Sequence, residues 1–270
     1  MMSKFLKVIF LFLFISIFAT ESANACMCGH SSVREAYNSA STIIIGKVTK
    51  IENPEIDERN SYKGNQTVFV ESAKSFKGSR EKVLTLSQQN TTCDWWFKET
   101  KHLGKSYLFY LSKYQNEDIY EVVSCGRSKK ITQASDDLSW LNVLPNSLNR
   151  TRISGVTLLD DYENIFPNDY DNPFPPLANV KLKFFGNNKK FELVTDEKGF
   201  YEIWDVPVGK YSVVAEIPKG FILDWTTSIP EDWTYFWNLD EPNEKALEFT
   251  IEPKGSGGVN FMFKEKKDEN

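Results

Sequence analysis

Between Thr42 and Lys264 the chain breaks into twelve short runs rich in β-branched and aromatic residues, several of them separated by turn-forming Gly, Pro, Asn or Asp. Such a pattern restricts the fold to sheets with tight connections, because none of these runs carries the 3.6-residue period of a long helix. Five runs lie in the first half: Thr42–Thr49, Thr67–Ser75, Lys82–Ser87, Lys105–Leu111 and Ile119–Ser124. Flanked by short helices, five strands suit a small closed or partly open barrel of the OB type. Seven more follow at Arg152–Leu159, Asn179–Phe185, Lys190–Thr195, Gly199–Trp204, Lys210–Ile217, Leu247–Glu252 and Gly258–Lys264. Gly186-Asn187-Asn188, Asp196-Glu197-Lys198-Gly199 and Pro207-Val208-Gly209 separate several of them, which is the punctuation of an antiparallel sandwich. The expected fold is therefore all-β with two short helices, a barrel preceding a seven-stranded sandwich.

Two helices frame the barrel segment. Ser32-Val33-Arg34-Glu35 is a capping-box pattern, followed by Val33, Ala36, Tyr37 and Ala40 at helical spacing. Ser135 is expected to cap a second helix with Asp136 and Asp137 in its first turn and Leu138 and Leu141 on one face, ended by Pro145. The polar residues 146–150 read as a linker, so the expected division is residues 1–25, 26–148 and 151–265.

Residues 1–25 have the makings of a secretory signal peptide. Lys4 and Lys7 give a positive start, Val8 to Ala19 an apolar stretch, and Ala23-Asn24-Ala25 a small-residue cleavage point. Cleavage there leaves Cys26 at the mature N-terminus of a protein that is secreted, extracellular or periplasmic. Acylation of Cys26 as in a bacterial lipoprotein is the less favoured reading, because such sites carry Leu three residues upstream where Ala23 stands. No later stretch is long and apolar enough for a membrane span.

Cys26, Cys28, Cys93 and Cys125 are the four cysteines, and an even number in an exported chain reads as two disulfides. A Cys26–Cys28 bond would strain a three-residue loop, which leaves two pairings open.

Composition removes several function classes. A net charge of -5 argues against nucleic-acid phosphates or an anionic membrane as partner. With two histidines, His30 and His102, the chain is poorly stocked for a catalytic metal centre of its own, and no cofactor is expected. His102 reads as a surface or strand-edge residue, His30 as part of a helix entry. Nucleophile-elbow, His-Glu-x-x-His and phosphate-loop motifs are absent from the sequence, so an enzyme is the least supported class. Asp160 to Pro176, acidic and rich in Asn and Pro, reads as a solvated loop without EF-hand spacing. Phe221 to Asn243 carries Trp225, Trp233, Tyr235, Phe236 and Trp237, which either cover one end of the sandwich core or contact a sugar or protein.

The Cys26-x-Cys28 start, Glu35-Ala36-Tyr37, Ile44-Ile45-Gly46-Lys47-Val48, Lys74-Ser75-Phe76-Lys77-Gly78, Thr92-Cys93, Gly104-Lys105-Ser106-Tyr107-Leu108 and Ser124-Cys125-Gly126 together resemble the netrin-type inhibitory domain of tissue inhibitors of metalloproteinases. The resemblance runs from Cys26 to about Leu144, and departs from the family in lacking its third disulfide and in carrying Gly29-His30 where an apolar residue and Pro are usual. The second half is similar to carboxypeptidase regulatory-like, transthyretin-like sandwiches, through Pro176-Leu177-Ala178-Asn179-Val180, Thr195 to Tyr201 and Val206-Pro207-Val208-Gly209-Lys210-Tyr211.

The inhibitor resemblance implies Cys26–Cys93 and Cys28–Cys125 disulfides. It further implies that the Cys26 α-amino group and carbonyl oxygen chelate the active-site zinc of a metalloendopeptidase. An α-amino group with an ordinary pKa of about 8 has a neutral fraction available for that bond near neutral pH. Met27 would enter the adjoining specificity pocket, Cys28 would follow it on the protease surface, and Gln89, Asn90, Thr91 and Thr92 would form a second contact strand. The alternative is a non-inhibitory extracellular interaction module.

Overall fold

The computed structural model describes residues 31–55, 63–89, 95–113, 118–122, 126–160, 174–229, 233–235 and 247–266. For residues 225, 227–229 and 233–235 the description is of the backbone alone. Cys26, Met27, Cys28, His30, Asn90, Thr91, Thr92, Cys93, Cys125 and Trp237, with both expected disulfides and the leader, lie outside these residues.

Among the described residues, the first half forms a sheet of β1 (Thr42–Glu52), β2 (Gln66–Lys77), β3 (Val83–Gln88), β4 (Ser106–Lys113), β5 (Ile119–Val122) and the short β6 (Lys129–Lys130). Its order is β1-β2-β3-β5-β4-β6, and β1 also pairs with β4, which closes five strands into a barrel. β3 and β5 run parallel; β1 with β2, β2 with β3, and β4 with both β1 and β5 run antiparallel. This is the OB-type arrangement expected from five strands with helical flanks. All five expected strands are present, with boundaries shifted by a few residues.

The alternation of β1 and β4 fills two cores at once. Ile44, Val48, Tyr107, Phe109 and Leu111 point into the barrel with Val68, Val70, Leu84, Leu86 and Phe97. Ile43, Ile45, Leu108 and Tyr110 point outward, beneath α1 (Val33–Ser39) and α3 (Ser135–Asn142). Strands buried on both faces read as continuous apolar runs, and Ile43-Ile44-Ile45 and Tyr107-Leu108-Phe109-Tyr110-Leu111 do so. A third, single-turn helix, α2 (Glu99–His102), precedes β4. The register of β1 against β2 shifts at three places, bending the strands enough for closure. At the β2 end the chain turns at Gly78, with φ of 75°, where a Cβ would lie 2.2 Å from the Ser41 carbonyl oxygen. Only glycine fits there.

The second half is a sandwich of two sheets. One has the order β10-β7-β15-β12-β13 and the other β14-β11-β8-β9. Its strands are β7 (Arg152–Leu159), β8 (Lys181–Gly186), β9 (Lys189–Val194), β10 (Phe200–Trp204), β11 (Gly209–Ala215), β12 (Phe221–Ile229), β13 (Trp233–Tyr235), β14 (Leu247–Ile251) and β15 (Ser256–Glu265). The facing side chains form one core that includes Ile153, Val180, Phe184, Tyr201, Val213, Ile251, Phe261 and Phe263. β8 and β9 are joined by Asn187-Asn188, with φ of 48° and 58°, the two-residue hairpin that matches strand twist.

All seven expected strands are found, and two more come from the aromatic segment after Phe221. That segment is outside the seven expected strands, yet β12 pairs with β15 along nearly its whole length, from Phe221 with Glu265 to Ile229 with Gly258. Mixed aromatic and β-branched residues suit a paired strand better than a loop. Residues 146–150 also differ from the expected linker. Asn146–Asn149 form a 3-10 turn, and Arg34 of α1 donates to the carbonyls of Ser147 (3.1 Å) and Leu148 (2.7 Å). The polar composition reflects backbone groups that must be bonded at a bend, and not freedom of motion.

Candidate functional site

The capping box at the start of α1 fixes the end of the chain nearest Cys26. Ser32 Oγ accepts from the Glu35 amide (3.3 Å) and Glu35 Oε2 accepts from the Ser32 amide (2.7 Å). Directly upstream, the Ser31 carbonyl accepts from Nη1 of Arg127 at 2.9 Å. The residue at which the N-terminal segment meets the barrel is thus held by a cap on one side and a guanidinium on the other.

Arg127 is itself clamped. Its Nε donates to Asp137 Oδ1 (2.6 Å), and its Nη2 to Asp137 Oδ2 (2.9 Å) and Asp136 Oδ2 (2.5 Å). Lys129 Nζ lies 3.0 Å from Asp137 Oδ2, and Tyr110 donates its hydroxyl to Asp137 Oδ1 at 2.8 Å. Across the junction with the sandwich, Arg152 and Ser154 of β7 reach Asp136 Oδ1 at 2.8 and 2.9 Å. Arg152 Nε also meets Glu202 Oε2 of β10 at 3.1 Å, and Glu202 accepts from Ser139 of α3 and from the Trp204 indole. Arg152 and Asp137 are fully buried and Asp136 nearly so.

The electrostatics follow from this enclosure. Burial alone would push both aspartates up, but the two arginines overcome it for Asp136, and Arg127 with Lys129 holds Asp137 far below the usual carboxylate range. Burial disfavours charge on Arg127 as well, and Asp137 and Asp136 reverse the sign, leaving it more basic than an ordinary guanidinium. Burial and the neighbouring Asp137 raise the Tyr110 hydroxyl, so it stays a donor. Three cations (Arg127, Lys129, Arg152) face three anions (Asp136, Asp137, Glu202). These groups hold structure in place, with no nucleophile and base juxtaposed.

From sequence, Asp136 and Asp137 are expected in the first turn of a helix capped by Ser135. The helix begins at Ser135 with Ala134 as its N-cap and no side-chain cap bond, and the two carboxylates face buried arginines instead. No local signal marks this: Thr151-Arg152-Ile153 reads as an ordinary charged strand start, and Arg152 is buried through its contacts with α3 and β10.

Of the expected contact residues, Gln89 is described; it is exposed, immediately after β3. Gln88 before it is buried, with an Nε2 that has no hydrogen-bond partner among the described residues. Gln66, opposite Gln88 on β2, accepts from the Phe97 amide (2.9 Å) and donates to the Phe97 carbonyl (2.8 Å). His102 is corrected from a surface position: it is 1% exposed, packs against Phe97, and its Nδ1 lies 2.7 Å from the Lys98 amide. Trp225 and Trp233 lie on the paired strands β12 and β13, with Trp225 opposite Tyr235 and Trp233 opposite Thr227. Among the described residues no group of three or more His, Cys, Asp or Glu side chains is placed to hold a metal ion, and no helix is long and apolar enough to cross a membrane.

No protein-family model matches the chain, and no curated protein is significantly similar to it. Among solved structures it is similar to the Bacillus anthracis TIE protein at 12% identity and a TM-score of 0.29, over 84% of this chain and 35% of that one. A streptococcal ancillary pilin matches at 10% identity and 0.28, over 86% of this chain and 66% of the pilin. A Mobiluncus mulieris adhesin matches at 9% and 0.26, over 77% and 62%. This chain thus spans about a third of the first and under two thirds of the other two. Scores of this size describe a loose likeness among chains and assign no function to this one.

Proposed function

We propose that the chain is an exported binding protein without catalytic function of its own, whose barrel presents the N-terminal segment to a partner. The more specific form of this reading makes the partner a zinc metalloendopeptidase, with the Cys26 amine and carbonyl on its metal, Met27 in its specificity pocket and Gln89 to Thr92 alongside. The tie at Ser31 carries the reading. A chelating terminus binds well only if its backbone is ordered beforehand, because order supplied in advance is entropy not lost on binding. Ser31 lies five residues after Cys26, and its carbonyl is gripped by a guanidinium that is itself fixed by two buried carboxylates.

The test is inhibition of a panel of zinc endopeptidases by processed protein beginning at Cys26, against a form carrying one extra N-terminal residue. Inhibition by the first and not the second is the expected outcome; equal inhibition by both would exclude chelation through the amine. Gly29-His30, where the inhibitors carry an apolar residue and Pro, favours a second reading, a module that binds a protein without inhibiting it. Stable complex formation with no loss of protease activity identifies that case.

A further inference from the structure

The transthyretin-like half of such a chain is readily taken for a spacer, and an exposed pair such as Arg150 with Asp205, at 2.8 and 2.6 Å, would be enough to steady one. The junction contains much more. We propose that the sandwich is a positioning element for the barrel's N-terminal segment, with Arg152 of β7 fixing Asp136, and through it the Arg127 guanidinium that grips the Ser31 carbonyl.

Each link is a direct contact. Asp136 is shared, one oxygen facing Arg127 from the barrel and the other facing Arg152 and Ser154 from the sandwich. Arg152 is held in turn by Glu202 and by the rings of Trp204 and Phe200, 5.0 and 5.7 Å from its guanidinium carbon. Arg152 also donates to the Asp136 carbonyl, at 3.2 Å, so the sandwich grips the first turn of α3 by main chain and side chain together.

The energetics point the same way. A buried ion pair is seldom the most stabilising filling for a site, and apolar residues of similar volume often do as well or better. Arg152 even leaves Nη1 without a partner while fully buried. What charges supply and apolar residues do not is direction: a carboxylate held from two sides has one orientation, and a guanidinium on two carboxylates has one plane. Removing Arg152 leaves two cations against three anions around the buried Asp136 and Asp137, so Asp136 and Arg127 must rearrange or admit water. Ser31, bonded to the remaining Nη1 of Arg127, moves with them. None of this depends on what the N-terminal segment binds; read with the proposed inhibition, it makes the sandwich part of the inhibitory apparatus.

Amide hydrogen exchange on the full processed chain tests it without any protease, so its failure is distinct from a failure of inhibition. In Arg152→Met the amides of Glu35 and Ala36 in α1 and of its C-cap Ala40 are expected to exchange about tenfold faster, with the β8–β9 hairpin unchanged. Glu202→Gln, at a residue less buried than Arg152, should shift the same amides in the same direction by a smaller factor, and decides the matter if Arg152→Met does not fold. Arg150→Gln, which removes the exposed pair, should leave α1 as it was. Unchanged α1 exchange in the folded variants, or an equal rise across barrel and sandwich, would overturn the proposal and leave Arg152 as plain adhesive.

Discussion

Asp137 is the residue on which the buried charges turn, since it takes four hydrogen bonds or ion contacts from Arg127, Lys129 and Tyr110 with no exposure to water. Asp137→Asn leaves Arg127 and Lys129 short of a counter-charge, and breaking a buried pair from one side costs about 3–5 kcal/mol. A denaturant midpoint well below that of the parent is expected, whereas Asp205→Asn, on the solvent-exposed pair with Arg150, should leave the midpoint nearly in place. Asp224 behaves in the opposite sense. Burial first, then a hydrogen bond and charge repulsion from Asp160, push its carboxyl up to about 6, against the pull of Lys264. A raised carboxyl contributes stability in its protonated form, fully present below the unfolded value and lost as pH climbs through 6. Asp224→Asn should therefore raise the melting temperature at slightly alkaline pH and make no difference near about pH 4. A gain that is the same at both pH values would show that ionisation of Asp224 is not the cause.

At the scale of elements, the N-terminal helix is short enough that its cap decides whether it forms. α1 has seven residues, far below the length at which a helix stands alone in water. Ser32→Ala removes one half of the capping box and should cost about 1 kcal/mol, read as an earlier chemical melt. If the helix serves to aim the N-terminus, the same variant should weaken partner binding beyond what that stability loss accounts for. This box was visible in the sequence because all its members lie within four residues. The same holds for the Asn187-Asn188 hairpin and for strands such as Tyr107 to Leu111, whose patterns are local. β12 was not visible: Trp225, Thr226, Thr227 and Ser228 alternate weakly, and the element is settled by β15, more than thirty residues on. His102 differs from its expected surface position because the ring of Phe97 meets it edge-on and that of Tyr107 lies tilted beside it, both belonging to the barrel core.

The junction between barrel and sandwich belongs to the whole molecule, and its legibility fails at that scale too. Arg127, Asp136 and Arg152 are ordinary surface residue types, and only the docking of β7 and β10 against α3 makes them interior. That docking couples the unfolding of the two halves. Trp204 from β10 packs into the core shared by α1 and α3, and the ionic bridge at Asp136 must open before either half can leave the other. Near neutral pH calorimetry should therefore show a single transition, one that persists in high salt because the charges are shielded from ions. Acid works differently. Asp136 and Asp137 have folded-state pKa values below those of the unfolded chain, so their contribution is complete above about pH 4 and falls away as pH drops through the folded values. As pH falls through those folded values the transition should split in two as the bridge is neutralised, and Asp136→Asn should produce the same split at neutral pH without acid. Two transitions in the parent at neutral pH, or one unbroken transition in both acid and the variant, would mean that the halves meet without depending on each other.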